Sequence, residues 1–224
     1  GLKTVKECRV GDTFTLTAST AEKPLPGYRH PKPMVFAGIY TVEGEDYEEL
    51  KEALERLQLN DASLVFEPET SQALNFGFRC GFLGLFHMEI IQERIEREYN
   101  LDIVVTAPSV EYEVILLDGE VVRISSPARL PDESVIAEVR EPWMRLEVIT
   151  PIEFYGTIME LGIKRRGTFI SQDYPAPNRV QLNYDVPLSE LIVDFFDELK
   201  SRTRGYASMD YHFLDYRPGN LVKL

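Results

Sequence analysis

Apolar and polar positions recur in a fixed order along this 224-residue chain. The run MVFAGIY (34–40), β-branched and aromatic, predicts a strand. A helix follows, with Tyr47, Leu50, Leu54 and Leu57 on one stripe and Glu52 and Arg56 paired on the outside. Asp46 and Glu49 stand where a capping box would start it. SLVFEP and QALNFGFRC predict two more strands, LGLFHMEIIQERIEREYN a second helix and LDIVVTAP a closing strand. The order β-α-β-β-α-β is the ferredoxin-like split unit. On the second helix Gly84, Met88, Ile91, Ile95 and Tyr99 share the core face. Phe86, Ile90 and Arg97 fall nearly opposite, so that face is a candidate interdomain docking surface.

The same order returns further on. A hairpin is expected first, VEYEVILL and EVVRIS about the turn Asp118-Gly119. WMRLEVIT (143–150) then predicts a strand, and Pro151 marks a helix start with Phe154, Ile158 and Leu161 as its stripe. TFISQDY and RVQLNYDV are strands about the turn PAPN. LSELIVDFFDELKSR is a helix with Leu191, Phe195 and Leu199 inward, and YASMDYHFLDY closes the unit. The expected fold is therefore α+β: two ferredoxin-like domains, 33–108 and 141–224, joined by a hairpin connector at 109–140. Residues 1–32, weakly alternating and then proline-rich, form a separate leading segment.

The net charge of −13 argues against a nucleic-acid partner until its distribution is considered. Residues 141–224 hold 10 of the 24 Lys/Arg and 12 of the 37 Asp/Glu, so the first 140 residues carry −11 and the remainder only −2. The cations of that remainder concentrate in Lys164, Arg165 and Arg166 and in Lys200, Arg202 and Arg204. These six are the candidate RNA contacts. Oppositely directed helices would place them as two separate cationic ends. Two cysteines are too few for a disulfide framework, and no secretory or membrane-spanning run is visible, which predicts a cytoplasmic protein.

Candidate catalytic chemistry is weak. GFRCGFLG (77–84) matches neither a dinucleotide fingerprint nor a P-loop, and Gly81 and Gly84 are expected to turn the strand into the helix. GIKRRGT (162–168) has P-loop spacing without its lysine. Cys80 and His87 have no partners at zinc-like spacing, while His30 and His212 stand alone. No catalytic set or metal site can be nominated.

Three stretches taken together resemble the elongation factor G-type translational GTPases. EPWMRLEVITPIEFYGTIMELGIKRRG (141–167) is similar to that family's fifth domain, through Glu141-Pro142, Thr150-Pro151, Gly156 and Arg165-Arg166-Gly167. GLFHME (84–89) resembles a run of the third domain, with Phe86 in the place of a leucine, and TRGYASMDYHFLDY (203–216) the closing strand of the fifth. About 30 residues separate Thr106 from Glu141, too few for the extra domain that elongation factor G carries there.

The resemblance implies that a GTP-binding domain and most of a β-barrel would precede Gly1, with residues 1–32 as the barrel's tail. A C-terminal domain would follow Leu224. It implies no nucleotide site or cofactor on this chain, and GTP with magnesium elsewhere in the protein. The implied partners are the ribosome (rRNA and ribosomal proteins), tRNA and the protein's own G and C-terminal domains. The implied activity is GTP-dependent back-translocation by a monomer, cytoplasmic and peripherally attached to the inner membrane. A paired small-molecule regulatory module is the alternative of another class.

Overall fold

The computed structural model describes residues 12–27, 31–71, 73–126 and 129–219. The chain divides into two units, Gly1–Ala107 and Pro108–Leu224. In the first, β1 (Val35–Thr41), α1 (Tyr47–Asn60), β2 (Val65–Ser71), β3 (Asn75–Phe82), α2 (Leu85–Tyr99) and β4 (Ile103–Val105) follow the expected order. The strands lie as β2-β3-β1-β4, the ferredoxin-like arrangement. Ala37 and Ile39 of β1, Phe78, Cys80 and Phe82 of β3, and Leu50, Leu54, Leu57, Ile91 and Ile95 of the helices form one buried cluster. Each fully buried leucine contributes roughly 2 kcal/mol by leaving water. The capping box does not form: Asp46 ends a short 3-10 turn and its side chain makes no cap bond. The pair Arg56–Glu52 does form, at 3.3 Å.

The opposite face of this sheet explains two of the clustered glycines. The Tyr40 ring lies flat over β1 and β3, and a Cβ on Gly77 would stand 2.4 Å from it and 2.5 Å from the Ile39 carbonyl. A Cβ on Gly81 would stand 2.7–2.9 Å from Val65, Phe36 and Pro33. Gly81 is a paired strand residue, and Gly84 has an extended backbone. The expectation that both serve a sharp corner is therefore corrected: Gly81 supplies space on the sheet. The Tyr40 hydroxyl donates to Glu69 at 2.9 Å, and burial together with that carboxylate pushes its pKa up to about 12.

The second unit contains β5 (Ser109–Val110), β6 (Tyr112–Leu116), β7 (Val121–Ile124), β8 (Ile136–Pro151), α3 (Tyr155–Lys164), β9 (Thr168–Ala176), β10 (Arg179–Pro187), α4 (Leu188–Leu191), α5 (Phe195–Arg202) and β11 (Ser208–Pro218). Strands β9-β10-β8-β11 give the second ferredoxin-like sheet. Met144, Leu146 and Val148 of β8 and Leu182, Tyr184 and Val186 of β10 are buried, as are Ile158, Leu161, Phe195 and Leu199 of the helices.

Two boundaries differ from expectation. The segment 109–140 is not a separate connector, because β8 begins at Ile136 and its first residues pair with β6 of the hairpin. The last helix is broken at 192–194, where Asp194 turns left-handed at φ 56°. Of the leading segment, residues 12–27 contain no strand beyond an isolated bridge between Leu16 and Ser19. Residues 1–11 and His30 lie outside the described residues. Among the described residues no helix is long and apolar enough to cross a membrane.

The glycine argument makes a contrast that can be measured. Gly77→Ala is expected to destabilise by about 1–3 kcal/mol, as overpacking does. Gly156→Ala on α3, where an added Cβ meets nothing within 4 Å, should be neutral or stabilising by up to about 1 kcal/mol. Urea unfolding reads both, and equal effects would refute the packing role.

Candidate functional site

The six candidate cations sit at the ends of α3 and α5, and the fold gives them unequal work. Lys164 Nζ donates to Glu198 Oε1 at 2.8 Å, Arg165 Nη2 to Glu198 Oε2 at 2.7 Å, and Arg202 Nη2 pairs with Glu198 Oε1 at 2.7 Å. Hydrogen bonds from Lys164, Arg165 and Arg202 outweigh burial and hold the Glu198 pKa at about 2. The expectation of two separate cationic ends is thereby corrected. The eight residues of α5 span only about 12 Å at 1.5 Å each. Glu198, halfway along, therefore reaches the end of α3 while Arg202 reaches back one turn. The break before α5 is used as well, since Arg165 Nη1 donates to the Val193 carbonyl at 3.0 Å.

Arg166 points inward to Glu141. That carboxylate belongs to a fully buried residue of β8 and accepts from both guanidinium amino groups, one of them at 3.2 Å. Glu190 stands 3.6 Å from the same guanidinium, and the Ser189 hydroxyl donates to Glu141 at 3.5 Å. Hydrogen bonding to Glu141 raises the Arg166 pKa. Arg166 is left-handed at φ 57°, and the Gly167 N–H closes the end of α3 on the Gly162 carbonyl at 2.8 Å. This is a Schellman cap with arginine where glycine is usual. Gly162 lies within α3, where a Cβ would meet the Tyr184 ring at 2.6 Å. The near-P-loop spacing therefore comes from packing and capping.

The end of α5 repeats the cap. The Gly205 N–H donates to the Lys200 carbonyl at 2.7 Å, and Arg204 is left-handed at φ 51°. Lys200 Nζ donates to the Ala207 carbonyl at 2.7 Å and lies 5.4 Å above the Phe196 ring. Arg204 is exposed and makes no side-chain hydrogen bond or ion pair among the described residues.

The remaining candidates divide in a similar way. Phe86 and Ile90 are exposed on α2, at 49% and 57%, whereas Arg97 is paired with Glu93 on its own helix at 2.6 Å. His87 accepts from the Leu83 N–H through Nδ1 at 3.0 Å, which places its proton on Nε2, 2.8 Å from Asp61 Oδ2. Burial pushes Asp61 up, but hydrogen bonds from Ser63 and His87 hold its carboxyl below the ordinary range. His87 thus clasps the end of α1 to the start of α2. Cys80 is fully buried, and burial raises its thiol pKa. Among the described residues no three His, Cys, Asp or Glu are grouped to hold a metal.

Sequence reasoning met Glu141 only as part of a resemblance motif and missed its pairing with Arg166, which has no local signal; it missed Glu198 as well, whose spacing of four from Arg202 was available. It also missed Asp185, bound by Arg145 at 2.7 Å and Arg217 at 2.9 Å across β8, β10 and β11. Arg217 lies 4.8 Å over the Trp143 ring.

Two predictions follow from the pairing. Glu198 titrates near 4.5 unfolded and about 2 folded, so its stabilisation is complete above pH 4.5 and lost as pH falls toward 2. The stability gap between wild type and Glu198→Gln should therefore be flat above pH 4.5 and close below it in urea titrations. Arg166→Ala should destabilise by about 3 kcal/mol by leaving Glu141 buried and unpaired. Arg204→Gly should instead stabilise by up to about 1 kcal/mol by relieving a left-handed backbone; shifts of the same sign would contradict the assignment.

Comparison with known proteins agrees with the two-unit division. Residues 30–107 match the family model of elongation factor G, domain III, and residues 138–224 that of the elongation factor G C-terminus. Proteins named elongation factor 4 from Streptococcus pneumoniae strains Hungary19A-6, G54 and ATCC 700669 are each 56% identical over 223 residues. The match covers 100% of this chain and 37% of each of those proteins. The chain spans about a third of the length of the curated relatives it matches. It therefore belongs to the elongation factor 4 branch of the elongation factor G-like family, as a stretch carrying that family's domain III and C-terminal modules.

Proposed function

We propose that this chain is the ribosome-contacting middle of a translation elongation factor, acting by positioning and not by bond chemistry. The identity to elongation factor 4 across the full chain carries this reading. Binding and hydrolysis of GTP, with magnesium, fall to parts of the protein outside these residues. The two α/β units hold the ribosome and relay nucleotide state toward the tRNAs, in the sense of back-translocation. The internal ion pairs keep α3 and α5 rigid enough to transmit such a signal. Of the six candidate cations, Lys164 and Arg204 face outward most, while Arg165 and Arg166 hold the unit together.

The test is co-sedimentation of the full-length protein with ribosomes, together with GTP turnover. Ribosome binding that weakens steeply with salt is expected. Ribosome-stimulated hydrolysis should appear in the full-length protein and be absent from the 224-residue chain. Turnover by the chain alone, or no ribosome binding by the full-length protein, would sink the proposal.

A further inference from the structure

Among the described lysines and arginines of the second unit, all but two make an ion pair, a hydrogen bond or another polar or ring contact. The two are Arg179 and Arg204, both exposed. They stand at one end of the sheet, where β8 stops. Arg179 opens β10 opposite Pro151, and the Ile152 N–H donates to the neighbouring Asn178 carbonyl at 3.1 Å. The loop holding Arg204 leads into β11, whose first residue, Ser208, pairs with Ile149 of β8.

Tyr206 belongs to this same end. It is 60% exposed, and its ring stacks on Phe154 with centroids 6.4 Å apart at 22°, so one face is backed by protein. The loop that carries it is tied down from inside. Buried Thr203 donates through Oγ1 to the Leu199 carbonyl at 2.7 Å and accepts from the Ala207 N–H at 3.2 Å. The Tyr206 N–H donates to the Thr203 carbonyl at 2.9 Å, and Lys200 Nζ holds Ala207 from the other side. A rigid frame thus presents arginine, glycine and tyrosine outward. The two left-handed arginines sharpen the contrast: Arg166 gains a buried carboxylate, and Arg204 gains no polar partner among the described residues. Backbone strain with no internal return is a signature of an outward role.

We propose that this end of the second unit is an RNA-contacting tip, in which Arg179 and Arg204 meet backbone phosphates and Tyr206 stacks on an unpaired base. It rests on the ribosomal reading above and names the face and the chemical class of the partner. RNA is favoured over a protein surface because the two arginines without a partner among the described residues of the unit stand at the same end of the sheet as a backed aromatic ring. That is the phosphate-plus-stacking combination used on unpaired nucleotides. In a chain of net charge −13, cations not already neutralised by carboxylates are the ones able to meet phosphate.

The test uses the full-length protein, purified ribosomes and p-benzoylphenylalanine in place of Tyr206. Crosslinks from that position should fall on ribosomal RNA. In co-sedimentation the double variant Arg179→Ala/Arg204→Ala should bind about tenfold more weakly and lower the slope of log affinity against log salt by one to two. Tyr206→Ala should weaken binding by roughly tenfold with the slope unchanged, and Tyr206→Phe should restore it. Crosslinks to a ribosomal protein, or to nothing while the protein still co-sediments, would overturn the inference. So would variants that bind as wild type does. Failure of the unaltered protein to bind ribosomes would instead overturn the ribosomal reading, and this inference with it.

Discussion

Glu141 is fully buried in the long strand β8, and its carboxylate meets one arginine, with the Ser189 hydroxyl and Arg166's second carboxylate neighbour, Glu190, around it. Removing such a charge from water costs several kcal/mol unless a cation and hydrogen bonds replace the water. Arg166 can supply them only by leaving α3 through a left-handed turn, which fixes where the helix ends. Gly167 must then approach the Gly162 carbonyl so closely that a side chain would collide with it. With the turn set, Arg165 faces α5, fills the break at Val193 and reaches Glu198. The resemblance motifs Glu-Pro and Arg-Arg-Gly, whose Glu141 and Arg166 lie 25 residues apart in the sequence, are thus two halves of one buried contact.

Charge economy follows from that contact. Residues 141–224 are nearly neutral by count, but their cations are mostly consumed by carboxylates of the same unit: Glu198 takes three and Asp185 takes two. Burial pushes the Asp185 carboxyl up, and the bonds from Arg145 and Arg217 more than offset this, holding it below the ordinary range. A surface read from sequence as two basic clusters is in effect a set of crosslinks between elements. Clusters of like charge in a sequence predict a solvated cationic face only when the opposing helix offers no carboxylate at the right height.

Element order and type were legible because hydrophobic period reports which face is buried, and in both units the helices each bury one stripe in the unit's core. Tyr47, Leu50, Leu54 and Leu57 illustrate it: three of the four are fully buried, and Tyr47 stacks on Phe78 at 4.8 Å. The broken last helix was not legible, because LSELIVDFF carries helix periodicity straight through 192–194 and the break is stabilised by Arg165, 28 residues earlier in sequence. The glycines were misread for a related reason. Gly81 and Gly84 are expected from sequence to turn the strand into the helix, but Phe36 and Val65 set the cost at Gly81 and the Tyr40 ring that at Gly77, and no local pattern shows which ring will cross which strand. The site was least legible of all: which cation faces inward depends on Glu141 and Glu198, each remote from the arginines it neutralises.

The two helix caps show how one local device serves opposite ends. After α3 and after α5 the chain turns with the same pair of backbone bonds and an arginine in the left-handed place. Local energetics favour glycine there by about 1–2 kcal/mol. At Arg166 the buried pair with Glu141 offsets that cost within the fold. At Arg204 no described contact does so, while the loop around it is held by Thr203, Lys200 and the stack of Tyr206 on Phe154. Stability alone would remove the second arginine and keep the first. A sequence that keeps both is accounted for if the first is held by the fold and the second by something the fold meets.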